Sequence, residues 1–268
     1  MIDHYISSAE SAKARMAKTA IKPQADKWIR VFKPEKEACL RLFCFPYAGG
    51  NSSIYLRWPH MLSPLVEVCA VELPGRGDRL REPPFTDMSV LVRTFVEIIS
   101  SWADKPFAFF GHSMGARIAY EVTCALQREA KPLPLHLFVS GCGKPGRSSK
   151  TIRYNLPEPE FLQVLRELGG TPPEVFDNEE LLELLLPILR ADFQLIEEHQ
   201  PAQPALLNCP ITGLCGQKDA EIPIKDVEMW NETSTREFSL HVFQGDHFFI
   251  KSDESLVINT ILQTLTRL

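Results

Sequence analysis

Several features are missing from this chain, and each absence narrows what it can be. No apolar run approaches the roughly 18 residues that a membrane-spanning helix needs. A basic stripe is also lacking. The formal net charge is −5, which argues against a nucleic-acid partner. The cysteines (Cys39, Cys44, Cys69, Cys124, Cys142, Cys209 and Cys215) are odd in number and form no Cys-x-x-Cys pair, so neither a zinc site nor a redox motif is indicated. They read as small core residues in a reducing compartment, and a cytoplasmic location is expected. Internal repeats and low-complexity segments are absent. The first 37 residues are locally basic, but Asp3, Glu10, Asp26, Glu35 and Glu37 interrupt them. They have neither the apolar core of a secretory signal nor the acid-free composition of a transit peptide.

What remains is a chain of 268 residues, 44% of them apolar, which suits one large α/β domain carrying an insertion. Residues 1–37 show no sustained periodicity and are expected to form a partly ordered extension, with Trp28, Ile29, Val31 and Phe32 packing back near the first core strand. The domain proper is expected over residues 38–268. Its strands are the apolar runs 39–45, 66–73, 106–110, 135–141, 211–215 and 240–243. Helical stretches separate them: one containing Trp58 and Leu62, one capped by Asp87, one beginning at Met114, one near Val227–Trp230, and a last one through Val257–Leu265. Strands alternating with helices of this length imply a mostly parallel sheet with helices on both faces.

The alternation stops at about residues 143–205. That insertion reads as helical: a helix from Glu158 to Leu168 ended by Gly169 and Gly170, then a leucine-rich segment from Asn178 to His199. Pro187 inside the latter predicts a kink or two helices. One face is apolar and the other acidic, as suits a lid over a site for a greasy chain, or a structural subdomain.

Ser113 is the centre of this arrangement. It stands in Gly111-His112-Ser113-Met114-Gly115, where a buried strand hands over to a helix. A serine on such a turn presents its hydroxyl above the sheet edge. A Cβ at either glycine would crowd the backbone. A serine hydroxyl needs a histidine base, itself oriented by a carboxylate. In a parallel sheet of this kind the acid follows a later strand and the histidine comes last. Asp219 and His247 meet that order. His112 points away at an elbow, Asp246 adjoins His247 too closely to orient it, and Asp226 is more simply a helix cap. The oxyanion formed on attack needs two waiting backbone N–H groups. They are expected from Met114 and from the loop after the first core strand, Tyr47 first and Ala48 second. No metal or cofactor is called for, and a monomer is expected.

Several segments together resemble the type II thioesterases, which serve polyketide and nonribosomal peptide synthases and include the medium-chain thioesterase of fatty acid synthase. They are Phe45-Pro-Tyr-Ala-Gly-Gly50, Leu73-Pro-Gly-Arg76, Phe110-Gly-His-Ser-Met-Gly115, Leu168-Gly-Gly-Thr-Pro172, Leu189-Arg-Ala-Asp192, Gly216-Gln-Lys-Asp219 and Gly245-Asp-His-Phe-Phe249. The resemblance spans about residues 38–268. It implies an α/β-hydrolase fold with a helical lid. The implied reaction is hydrolysis of acyl thioesters on the phosphopantetheine arm of acyl or peptidyl carrier proteins, with Ser113, Asp219 and His247 as triad. Asp246 departs from the family, where a second glycine usually precedes the histidine, and the long N-terminal extension is a second departure. Three other readings share these residues: a carboxylesterase or lipase, an acyltransferase, and an inactive hydrolase kept as a carrier-binding module.

Overall fold

A computed structural model of the chain describes residues 27–146, 152–200 and 206–268. The short helix conceivable near Ser8–Ala20 lies outside these residues. Seven strands form one sheet: β1 (Ile29–Arg30), β2 (Leu40–Phe45), β3 (Val66–Val71), β4 (Phe107–His112), β5 (Leu137–Ser140), β6 (Ile211–Gly216) and β7 (Phe238–Phe243). Their order is β1-β3-β2-β4-β5-β6-β7, and every neighbouring pair is parallel except β1 with β3. The sheet is therefore mostly parallel, as the apolar runs imply.

The interior strands are buried on both faces because helices cover both. Alternation along each strand divides the apolar side chains between two cores. Phe43, Phe45, Phe107 and Phe109 point to one, where α1 (Met88–Trp102) and α2 (Met114–Arg128) supply Phe95, Ile99, Ile118 and Val122. Leu42, Cys44, Ala108 and Phe110 point to the other, with Trp58 and, from α7 (Glu254–Leu265), Val257 and Ile261. Asp87 caps α1 by accepting from the N–H groups of Ser89 and Val90. All seven cysteines are free and all but Cys39 are buried.

Between β5 and β6 the described residues contain helices and no strand: α3 (Glu158–Leu168), α4 (Pro173–Phe176) and α5 (Glu179–Glu197). Gly169 ends α3 in the left-handed conformation, φ 70°. Phe161, Leu165, Leu186 and Leu189 give the insertion a small core of its own.

Three expectations need correction. Of the two expectations for Pro187, a kink or two helices, the second does not hold, because one continuous 19-residue helix runs through it. The flanking Leu186, Ile188 and Leu189 are buried, and that packing outweighs the lost backbone donor. The stretch around Trp58 is two short 3₁₀ turns, Ser52–Tyr55 and Trp58–His60, with Pro59 early in the second. The segment near Val227–Trp230 is split into α6 (Ile224–Glu228) and a 3₁₀ turn over Met229–Thr233. Trp28 and Ile29, by contrast, pack back onto the domain as expected. β1 pairs antiparallel with β3, Ile29 opposite Val71, and the buried Trp28 ring packs edge-on against Phe95 at 5.3 Å. The Arg79 guanidinium lies 3.9 Å above the same indole.

Trp28→Ala is expected to cost about 3–5 kcal/mol, read as a lower urea midpoint. A loss under about 1 kcal/mol would make this segment a surface appendage.

Candidate active site

The elbow is built by crowding. A Cβ on Gly111 would sit 2.2 Å from the Gly115 carbonyl oxygen, and one on Gly115 would sit 2.1 Å from that of Phe45. Only glycines let β4, the start of α2 and the end of β2 approach so closely. Ser113 is held between them at φ 53°, a left-handed value that a side chain rarely adopts. Its N–H donates to the Ser140 carbonyl at 2.8 Å, and its own carbonyl accepts the first bonds of α2, from Ala116 and Arg117. A strained non-glycine residue clamped from both sides is characteristic of a position where chemistry is done.

Asp219 and His247 meet because β6 and β7 are adjacent and parallel. Past their ends, the Gln217 N–H donates to Phe243 and the Lys218 N–H to Gly245, tying one loop to the other. A Cβ on Gly216 would fall 2.3 Å from the Asp246 carbonyl oxygen. In the resulting contact His247 Nδ1 lies 2.7 Å from Asp219 Oδ2. The other carboxylate oxygen, Oδ1, accepts from the N–H groups of Glu221 and Ile222, each at 2.9 Å. The carboxylate is thus fixed at both oxygens, with a fully buried side chain. Asp246 is occupied otherwise, accepting from the Phe248 N–H in its own turn. Asp226 sits in the first turn of α6.

Ser113 and His247 line one cavity of about 520 Å³, together with Tyr47, Ala48 and Met114. Among the described residues no other histidine lines it. Among the described residues the Ser113 hydroxyl makes no hydrogen bond. Such bonds are commonly long before substrate arrives and tighten in the complex. His112 lies behind the elbow, buried, with Nδ1 2.9 Å from Ser140 Oγ. Burial, and then the charge of His247, hold its pKa well below the usual histidine range, so it stays neutral beside the site.

The loop after β2 brings Tyr47 and Ala48 to the cavity. Among the described residues the N–H groups of Met114, Tyr47 and Ala48 have no protein acceptor, whereas those of Gly49 and Gly50 are already bonded. What bonds Gly49 was not legible in the sequence. Its N–H donates to Asp192 Oδ2 at 2.7 Å, and Asp192 reaches down from α5. The same carboxylate takes two bonds from the Arg76 guanidinium, both 2.7 Å, in a side-by-side pair. Arg76 also donates to the Gly50 and Pro74 carbonyls. Both side chains are almost wholly buried. One ion pair therefore links the inserted helix, the loop after β3 and the loop carrying Tyr47. The insertion contributes an apolar stretch of wall, Leu165, Leu189, Phe193 and Ile196, beside the polar Arg153, Thr171 and Glu197.

Asp192→Asn is expected to cost about 3–5 kcal/mol, because it strands the buried guanidinium. Arg76→Met combined with Asp192→Leu should regain much of that stability, yet label more slowly at Ser113 with a fluorophosphonate, since the Gly49 N–H still lacks its acceptor. Equal labelling by the double variant and the parent would show that the pair holds the fold alone.

The model of the Thioesterase domain family matches residues 40–265. The chain is 40% identical to a protein of Brevibacillus parabrevis called linear gramicidin dehydrogenase LgrE, over 93% of this chain and 96% of that one. It is 34% identical to the medium-chain S-acyl fatty acid synthase thioesterase of Rattus norvegicus, over 93% and 97%. The solved type II thioesterase BorB, from the borrelidin biosynthetic cluster, superposes with a TM-score of 0.81 at 32% identity, covering 89% of this chain and 97% of its own. Elbow, family match and structural likeness agree: the chain belongs to the Thioesterase domain family and is a type II thioesterase, a hydrolase of acyl thioesters.

Proposed function

We propose that Ser113, His247 and Asp219 form the catalytic triad of this hydrolase, and that its substrates are acyl groups carried as thioesters on the phosphopantetheine arm of carrier proteins. The observation that carries the reading is the Asp219–His247 contact of 2.7 Å, which fixes a histidine lining the same cavity as the strained Ser113.

The chemistry runs in two halves. His247 takes the Ser113 proton as Oγ attacks the thioester carbonyl. Asp219 fixes the ring so that Nδ1 faces the carboxylate and Nε2 is left for the serine, and it stabilises the imidazolium that forms. The carbonyl oxygen becomes an oxyanion, met by the Met114 N–H at the positive end of α2 and by the Tyr47 N–H, with Ala48 as the second choice on that loop. Collapse breaks the C–S bond, and the thiol leaves with the proton from His247. Water then attacks the acyl-enzyme, giving its proton to the same histidine, and releases the acid and Ser113. The apolar walls from the inserted helices suit the acyl chain and exclude bulk water, a lid's role.

Support for a carrier-borne substrate comes from the kin: the chain is 38% identical to the gramicidin S biosynthesis protein GrsT of Aneurinibacillus migulanus, and it resembles YbtT, the type II thioesterase of the Yersiniabactin NRPS/PKS biosynthetic pathway, and ClbQ, from the colibactin NRPS/PKS pathway, each at a TM-score of 0.80. No helix among the described residues is long and apolar enough to cross a membrane, as fits a partner met in water.

Ser113→Ala is expected to lower kcat by about 10⁴-fold or more, and Asp219→Asn by about 10⁴-fold, in hydrolysis of an acyl-carrier thioester. Retention of most activity by either variant would remove that residue from the triad. Rates on an acyl-carrier thioester and on a matched oxygen ester decide the substrate class. A strong ester preference would overturn the carrier reading.

A further inference from the structure

One charged side chain in the cavity is not used by the hydrolytic machinery. Arg117 lies one helical turn beyond Ser113 on α2, and its N–H donates to the Ser113 carbonyl at 3.3 Å. Only 8% of the residue is exposed, and that surface belongs to the wall of the catalytic cavity. A buried guanidinium is ordinarily paired with a carboxylate, because an unpaired one forfeits its hydration. Here no carboxylate among the described residues lies within salt-bridge distance of it. Of the acids lining the same cavity, Glu221 is joined to Arg153, Glu197 accepts from the N–H groups of Arg153 and Tyr154, and Asp226 is itself engaged. The neighbour of the guanidinium is the Cys142 thiol, which burial keeps protonated and therefore uncharged.

We infer that Arg117 is a specificity-determining residue for the acyl group, selecting thioesters whose acyl chain bears a carboxylate a few bonds from the reacting carbonyl. This rests on the thioesterase reading and deepens it. Position sets the chemical class. One turn of helix advances about 5.4 Å, so a group that meets the guanidinium while Ser113 attacks the carbonyl must lie close to that carbonyl. The pantetheine phosphate is separated from the sulfur by the whole length of the arm. A carboxylate of the acyl group is near enough, and arginine's planar fork pairs with it through two parallel bonds. The apolar walls of Leu165, Leu189 and Phe193 then surround the methylenes between the two ends.

The test compares glutaryl with valeryl thioesters, nearly equal in length and differing in the terminal charge, each presented on pantetheine and on N-acetylcysteamine. The wild-type chain is expected to favour glutaryl by tenfold or more in kcat/KM. Arg117→Met should reduce that ratio at least tenfold, and Arg117→Lys should retain part of it. A ratio near one in the wild type, or one unchanged in Arg117→Met, overturns the inference while leaving the thioesterase reading intact. So does an effect of Arg117 that follows the thiol arm and is the same for both acyl groups. Failure to hydrolyse any of these thioesters would strike the thioesterase reading instead. Arg117 is then judged without turnover, and without relying on a variant that folds poorly. Glutaramate should protect wild-type Ser113 from fluorophosphonate labelling at a tenfold lower concentration than valeramide, which has no carboxylate, and equal protection overturns the inference.

Discussion

The approach of three backbone segments at the elbow is the constraint from which the site follows. The end of β2, the end of β4 and the first turn of α2 meet within distances that exclude any side-chain atom at Gly111 or Gly115. That meeting has two results. It lifts Ser113 into a conformation it would not choose, and it brings the start of α2 beside the loop carrying Tyr47, so that main-chain donors from both converge. The Phe45 carbonyl against which Gly115 rests is itself anchored, accepting from the Tyr55 hydroxyl at 2.7 Å. Preorganised donors of this kind stabilise developing charge without reorganising during the reaction.

A second level of organisation links the chemistry to the inserted helices. The Arg76–Asp192 pair lies inside the molecule, where desolvation offsets much of the attraction between two charges. Its value is therefore better sought in specificity of arrangement than in stability. Asp192 satisfies the Gly49 N–H, Arg76 satisfies two carbonyls, and α5 thereby has one defined seat above the loop after β2. Leu189 adds a steric counterpart: a Cβ on Gly49 would sit 2.6 Å from its Cδ2. The roof of the cavity and the loop offering Tyr47 and Ala48 thus form one mechanical piece.

Much of this was readable in the amino-acid order. Long apolar runs, a serine between two glycines where a strand hands over to a helix, and an acid and a histidine after successive later strands are local or ordinal signals. They fixed the parallel sheet and brought Asp219 forward over Asp226 and Asp246. Other features had no such signal. Arg76 and Asp192 are separated by 116 positions, and no periodicity says which buried charges will pair across a molecule; resemblance marked both segments without giving them a task. β1 has two residues, too few to show alternation. Pro187 carried the usual signal for a break, but tertiary packing on both sides kept one helix. Arg117 reads from sequence as an ordinary polar position on an amphipathic helix; only the fold turns it toward the cavity.

The sheet order has a mechanical corollary. Asp219 and His247 ride on adjacent strands whose loops are stitched together, whereas Ser113 follows β4, with β5 standing between it and the acid's strand. A small sliding of strands within the sheet would carry acid and base along together, with their mutual spacing preserved. The gap to the serine is the coordinate free to vary. In the proposed triad the base thus stays aligned to its acid, and the distance to the serine is the one an arriving acyl chain would change.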